Sequence, residues 1–362
     1  MTGMGRIRVL VVEDSLTVRK RLVEVLSADA DLEVVGEAED GKRGMELCAA
    51  LRPDVVTLDM MLPLLTGVAV TEYIMAYCPT PILIVSSSIN RGELFKTYDA
   101  LAAGAVDVLE KPAGDASDEA WERRLLSTVK LIARIKVITH PRARLGAMGR
   151  PIESPLRAPA MDGRAASPAR LVAIGASTGG PAAVVDVLRA LSPSFPWPVL
   201  LVVHIGAPFG AAFADWLDSQ SPLPTAYARD GEALSAANGR VVMAPPGKHL
   251  VVRDGRLRLT LDPERHSCRP SVDVLFESLA SVAGGAVVAC LLTGMGRDGA
   301  AGLLAIRRGG GLTIAQDEKT SVVWGMPREA VQLDAAERVL PLDDIGRTLA
   351  AMARADQLRR PT

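Results

Sequence analysis

A serine stands between glycines at Gly175-Ala176-Ser177-Thr178-Gly179, followed by Gly180-Pro181. The preceding residues are a strand-like apolar run and the following ones (PAAVVDVLRAL) a helical pattern. Gly-x-Ser-x-Gly is the spacing of a nucleophile elbow, in which small neighbours permit a sharp turn that lifts the hydroxyl clear of a sheet. N–H groups at the helix start would then stabilise an oxyanion. A glycine-rich loop at a helix start also suits a phosphate, although neither Gly-Lys-Ser/Thr nor G-x-G-x-x-G is present, so the loop alone leaves both uses open. A serine nucleophile needs a base. Of the four histidines, His140 falls in a polar stretch, His249 follows Pro245-Pro246-Gly247-Lys248 and His266 lies in PERHSC. His204 alone ends a long apolar run, PVLLVV. Asp230, Asp298 and Asp317 each follow a strand-like segment and are candidates to orient that base.

A second set lies in the first half. Glu13-Asp14 follows one apolar run, Asp59 a second, Ser86-Ser87 a third and Lys111-Pro112 a fourth. Three carboxylates on one edge repel one another unless a cation sits among them. Magnesium, which prefers oxygen ligands and keeps several waters, suits Glu13, Asp14 and Asp59. A lysine and a hydroxyl nearby would hold the oxygens of a phosphoryl group on a carboxylate, the chemistry of an aspartyl phosphate.

The elements that must position these groups alternate along the chain. Strand candidates in the first half are 7–14, 32–38, 54–60, 81–87 and 106–111, with Val18, Leu22, Val25 and Leu26 on one helical face between the first two. Their nearly continuous apolar runs suit strands buried on both faces. Five such repeats predict a doubly wound parallel α/β sheet, whose functional residues gather at the carboxyl ends of the strands. In the second half the candidates are 171–177, 198–204, 225–230, 241–246, 286–294 and 311–317. Asp254-Gly255 marks a hairpin between LVV and LRLTL. The prediction is again a doubly wound, mostly parallel α/β fold with a local antiparallel addition. Residues 136–170 carry five prolines and seven Lys/Arg against two acidic residues, and they lack apolar periodicity. This composition predicts a flexible linker, with docking to an acidic partner as the alternative. The expected division is a domain at 5–125, a helical exit and linker at 126–168, and a domain at 169–358.

The 362 residues carry a formal charge of −1, with 49% hydrophobic and 4% aromatic residues. That balance disfavours a nucleic-acid binder. Four cysteines without C-x-x-C spacing argue against a disulfide framework or thiolate zinc site and fit a reducing cytoplasm. No apolar run is long enough for a membrane span, and the N-terminus does not resemble a secretory signal.

The first half resembles the receiver domain of two-component response regulators over roughly 115 residues. The resemblance implies Asp59 as phosphoacceptor, Glu13, Asp14 and Asp59 as Mg2+ ligands, Ser86 as switch hydroxyl and Lys111 as phosphate contact. The chain departs from the family at Glu13, where many receivers have Asp, and across Leu62-Pro63-Leu64-Leu65-Thr66-Gly67. The second half carries IGASTGG (174–180), RPSVDVLF (269–276), LTGMGRDGAAG (292–302) and GMPREA (325–330). In these it resembles the catalytic domain of chemotaxis protein-glutamate methylesterases. The resemblance implies a Ser177, His204, Asp298 triad without a cofactor, with the Thr178 N–H and, second to it, that of Met295 as oxyanion donors. It further implies removal of methyl groups from glutamate γ-methyl esters of chemoreceptor cytoplasmic domains, deamidation of receptor glutamines, and control by a chemotaxis histidine kinase through Asp59. Departures occur in the loop after the base, Ile205-Gly206-Ala207-Pro208-Phe209, and at Cys268, where many members have histidine. A non-catalytic signalling adaptor is the competing expectation. A DNA-binding regulator, a frequent receiver fusion, is disfavoured by the α/β second half.

Overall fold

The computed structural model describes residues 5–87, 91–112, 118–135 and 171–359. The expected flexible linker at 136–170 lies outside them, and of the helical exit and linker at 126–168 only 126–135 is described. The chain divides into two compact units, Met1–Ile152 and Glu153–Thr362.

The first unit is a five-stranded parallel sheet in the order β2-β1-β3-β4-β5, built from β1 (Ile7–Val12), β2 (Leu32–Ala38), β3 (Val55–Leu58), β4 (Ile82–Ser86) and β5 (Asp107–Glu110). Helices α1 (Leu16–Ala28), α2 (Gly41–Leu51), α3 (Gly67–Tyr77), α4 (Arg91–Ala102) and α5 (Glu119–Ile132) separate the strands and follow the last. Val9, Leu10, Val56, Ile82 and Ile84 are fully buried, as apolar strands covered on both faces must be. Leu22, Val25 and Leu26 are the buried face of α1, while Val18 is only partly covered.

The second unit is a seven-stranded, wholly parallel sheet in the order β14-β13-β12-β6-β7-β9-β8. Its strands are β6 (Leu171–Ala176), β7 (Val199–Val203), β8 (Thr225–Tyr227), β9 (Val241–Met243), β12 (Val287–Leu291), β13 (Leu312–Gln316) and β14 (Arg338–Leu340). The helices are α6 (Gly180–Arg189), α7 (Ala207–Gly210), α8 (Phe213–Gln220), α9 (Val272–Val282), α10 (Ala300–Arg308), α11 (Met326–Gln332) and α12 (Leu342–Arg359). Strand order reverses around β6, which lies between β7 and β12, and such a reversal opens a crevice at the strands' carboxyl ends.

Two expectations are refined. The Asp254-Gly255 hairpin is present, with both residues at positive φ, but β10 (His249–Arg253) and β11 (Arg256–Thr260) form their own two-stranded sheet instead of extending the large one. The strand-like runs also overshoot: TAYARD is strand only to Tyr227 and VVMAPP only to Met243, because Pro245 and Pro246 cannot donate to a ladder. β14 has no counterpart among the expected strands. It is a three-residue edge strand with Val339 exposed, so it lacks an apolar run.

Candidate active site

Ser177 directly follows β6. Its N–H donates to the Thr293 carbonyl at 3.0 Å, and its own carbonyl accepts from the Gly180 N–H at 2.6 Å, which closes the turn into α6. Gly179 caps that helix at φ 74°, a left-handed conformation in which a Cβ would also strike Val322 at 2.6 Å. The other wall of the elbow is Gly294, where a Cβ would lie 2.8 Å from that of Ser177 and 2.4 Å from Met326 Sδ. The Gly294 carbonyl accepts from the N–H groups of Gly325 and Met326, so the GMPREA segment braces the loop after β12. Among the described residues the Ser177 hydroxyl makes no hydrogen bond, and the N–H groups of Thr178 and Met295 have no acceptor.

His204 follows β7 and is fixed to the neighbouring strand by its N–H, which donates to the Ala176 carbonyl at 3.0 Å. Its Nε2 lies 2.9 Å from Asp298 Oδ2. Asp298, on the loop between β12 and α10, is buried and saturated. Oδ2 also accepts from the Val272 N–H at 2.7 Å, and Oδ1 accepts from the Ser271 hydroxyl at 2.7 Å and the Asp273 N–H at 3.0 Å. The carboxylate therefore sits on the N-terminus of α9, where free N–H groups and the helix dipole favour an anion. Burial opposes its charge, but the His204 hydrogen bond and those from α9 outweigh it and hold the carboxyl below its ordinary value. A carboxylate that stays ionised only accepts hydrogen bonds, so Nε2 carries the proton and Nδ1 of the neutral ring carries the lone pair. Burial also disfavours charge on His204. The hydrogen bond to Asp298 and then the contacts with Cys268 overcome it, and the imidazole is pushed up to about 9.

The structure thus brings His204 and Asp298 into contact and sets Ser177 at the end of the adjacent strand. Asp230 and Asp317 are elsewhere: Asp230 accepts from the Leu259 N–H and Asp317 from Thr320. Sequence reasoning missed the ring of support around Asp298. Ser271, which caps α9 by accepting from the Val274 N–H, was visible only as a serine before an apolar helical run. Asp273 is fully buried, receives the Gly302 N–H at 2.6 Å and faces His266 Nε2 at 3.1 Å. It ties RPSVDVLF to LTGMGRDGAAG, a link no spacing rule reveals. Cys268 places Sγ 3.7 Å from His204 Nδ1.

In the first unit Lys111 Nζ lies 2.9 Å from Glu13 Oε1 and 3.0 Å from Asp59 Oδ2. The Met60 N–H donates to Asp59 Oδ1 at 2.7 Å. Lys111 pairs with Asp59 Oδ2 without hydrogen-bond alignment, and Asp59 Oδ2 and Glu13 Oε2 are both buried oxygens lacking hydrogen-bond partners. Burial, then the neighbouring Asp59 charge, pushes Glu13 up to about 7, and burial raises Asp59 as well. Carboxylate oxygens of Glu13, Asp14 and Asp59 gather within 4.8 Å of one another. Orphaned anionic oxygens in such a cluster fit a hard divalent cation. Ser86, buried at the end of β4, accompanies them: its carbonyl accepts from the Lys111 N–H at 3.0 Å. Among the described residues no helix is long and apolar enough to cross a membrane.

Comparison with known proteins covers both units. Residues 172–349 match the CheB methylesterase family and residues 9–118 the response regulator receiver domain. A protein-glutamate methylesterase/protein-glutamine glutaminase of Nitrosospira multiformis is 43% identical over 95% of this chain and 96% of its own. One from Anaeromyxobacter dehalogenans is 44% identical over 97% of this chain and 98% of its own. The crystal structure of the Thermotoga maritima CheB methylesterase catalytic domain covers 51% of this chain and 98% of that one, at 34% identity and a TM-score of 0.48.

Proposed function

The chain belongs to the CheB methylesterase family with a response regulator receiver domain, and from that premise we propose that Ser177, His204 and Asp298 hydrolyse glutamate γ-methyl esters. The activity is that of a protein-glutamate methylesterase/protein-glutamine glutaminase, and its substrates are the cytoplasmic domains of chemoreceptors. The observation that carries the residue assignment is the Asp298 carboxylate, saturated by the start of α9 and 2.9 Å from His204 Nε2, on the edge that bears Ser177.

The chemistry follows from the tautomer. His204 Nδ1, the nitrogen not engaged by Asp298, takes the Ser177 proton as Oγ attacks the ester carbonyl. The Thr178 N–H, following the nucleophile, and secondarily that of Met295 receive the oxyanion. Asp298 stabilises the imidazolium, which returns the proton to the leaving methoxide. Methanol departs, and a water deprotonated by His204 releases the glutamate. With a glutamine substrate the leaving group is ammonia.

In the first unit Asp59 accepts a phosphoryl group from the chemotaxis histidine kinase. Glu13, Asp14 and Asp59 hold Mg2+, which neutralises phosphoryl charge when bound. Lys111 and Ser86 contact the phosphoryl oxygens, and phosphorylation regulates the esterase. The receiver domain spans 5–125, a helical exit and linker 126–168, and the catalytic domain 169–358. The protein works in the cytoplasm without nucleic acid or membrane insertion.

Methanol release from a methylated receptor fragment, with a phosphoryl donor present, tests the assignment. Release should vanish in Ser177→Ala, and full activity in that variant would remove Ser177 from the mechanism. Absence of turnover on every receptor fragment would favour the adaptor.

A further inference from the structure

We infer that His204 Nδ1 and Cys268 Sγ form a binding site for a thiophilic divalent cation, zinc above all, which shuts the esterase by occupying its base. Binding stands on geometry alone; only its effect on turnover rests on the assignment of His204 as base.

The Nδ1 to Sγ separation is 3.7 Å. A tetrahedral zinc with bonds of about 2.3 Å to sulfur and about 2.05 Å to nitrogen spans about 3.6 Å between those two ligands. The separation, which the thiol and imidazole now hold as a hydrogen bond, therefore matches the span of the two ligands. The rest of the arrangement is that of a metal-binding imidazole. Histidines that ligate metals characteristically donate their other ring N–H to a carboxylate, which fixes the tautomer and strengthens the ligand. Here Asp298 takes that role at 2.9 Å and is itself held by Ser271, Val272 and Asp273.

The donor set selects the ion. A thiolate and an imidazole favour zinc and its soft neighbours, whereas magnesium takes oxygen ligands. The carboxylate cluster of Glu13, Asp14 and Asp59 in the other unit has the opposite preference. Cys268 is partly exposed and the His204 side chain is 15% exposed, so water can complete the coordination shell. Binding displaces the thiol proton and, at neutral pH, the Nδ1 proton of the imidazolium to solvent, and forms Zn–S and Zn–N bonds. The Nδ1 lone pair is then unavailable to Ser177.

Cobalt(II) reports the site independently of turnover, because a thiolate ligand produces a near-ultraviolet charge-transfer band that oxygen ligands do not. The full chain, freed of metal and kept in millimolar Mg2+ to fill the carboxylate cluster, is titrated with Co2+ and then with Zn2+. One equivalent should raise the band and Zn2+ should displace it. Cys268→Ala should lose the band, and so should His204→Gln. A band unchanged in Cys268→Ala, arising at Cys48 and Cys78, whose Sγ atoms lie 3.7 Å apart in the other unit, would overturn the site, as would absence of any band in the unmutated chain. In parallel, Zn2+ should inhibit methanol release, with at least tenfold more Zn2+ needed in Cys268→Ala. Equal sensitivity would overturn the inhibitory role. A cysteine-dependent band in a chain without esterase activity would leave the metal site standing and refute the enzymatic assignment alone.

Discussion

Replacing Asp298 by Asn separates two roles of the carboxylate, charge and tautomer, because its surroundings decide how the amide must lie. Each oxygen of Asp298 accepts one backbone N–H, Oδ2 from Val272 and Oδ1 from Asp273. An amide therefore sets its NH2 against a donor in either orientation. With the NH2 toward Oδ1, the Ser271 hydroxyl can turn to accept from it; with the NH2 toward Oδ2, it opposes both Val272 and His204. The first orientation costs less, so the surviving oxygen still accepts from His204 Nε2 and the tautomer is retained. What disappears is the charge. His204 at about 9 instead of 6.5 corresponds to roughly 3 kcal/mol of preference for the imidazolium, which Asp298 shares with Cys268. Losing the Asp298 share costs up to about 10²-fold on the alkaline plateau of kcat/KM, and the rising limb moves to lower pH. Toward pH 7 the variants should converge, since only roughly 1% of unmutated His204 is neutral there. Methanol release from pH 6 to 10, corrected for spontaneous ester hydrolysis and with chelator present, measures both quantities. A loss near 10⁴ at every pH with an unmoved limb is the signature of the wrong tautomer and would refute the orientation argument.

Gly175→Ala should damage the same network from behind, since its Cβ would lie 2.3 Å from Val272 Cγ1 and push on the residue whose N–H holds Asp298. Overpacking of this kind costs about 1–3 kcal/mol, so thermal denaturation should show a less stable catalytic unit and kcat should fall with it. The raised Glu13 makes the first unit less stable as pH increases. The stability is fully present below the ordinary value of 4.5 and is lost as pH rises through about 7. Hydrogen exchange in that unit should show the decline, and Glu13→Gln should flatten it. For the same reason Mg2+ affinity, followed by calorimetry on the full chain, should climb with pH up to about 7 and level off above. An affinity independent of pH between 5 and 8 would exclude Glu13 as a ligand. Phosphoryl transfer to Asp59→Asn should be absent by mass spectrometry, while label retained there would place the acceptor elsewhere.

What was legible in the sequence was what strand ends dictate. Apolar runs fully buried in both sheets ended at Glu13, Asp59, Ser86, Ser177 and His204, so placing function at strand termini led to both candidate sites. Asp298 was different. It stands seven residues beyond the end of β12, and its selection over Asp230 and Asp317 required the family resemblance. The reason is physical: the start of α9 singles it out, and α9 begins 26 residues earlier in the chain. Cys268 was visible as a departure from the family, yet its approach to Nδ1 depends on a contact between residues 64 apart in the chain, which local pattern does not encode. β14 was illegible because an exposed three-residue edge strand carries no apolar signal.

Asp59 and Asp298 are both 2% exposed carboxylates near strand ends, yet their partners prepare them for opposite tasks. Asp298 accepts four hydrogen bonds, two of them from a helix N-terminus, and its carboxyl lies below the ordinary value. Every lone pair in the plane of the group is engaged, so it can orient and stabilise a neighbouring charge but has no oxygen free to attack. Asp59 accepts one backbone hydrogen bond at Oδ1, while Oδ2 faces Lys111 without an aligned hydrogen bond, and burial raises its carboxyl. An anionic oxygen that faces an ammonium without an aligned hydrogen bond is more nucleophilic than one saturated by donors, and it gains more from a cation or a phosphoryl group. The proposed division between an orienting aspartate and a phosphoaccepting one therefore rests on how fully hydrogen-bond donors saturate each carboxylate.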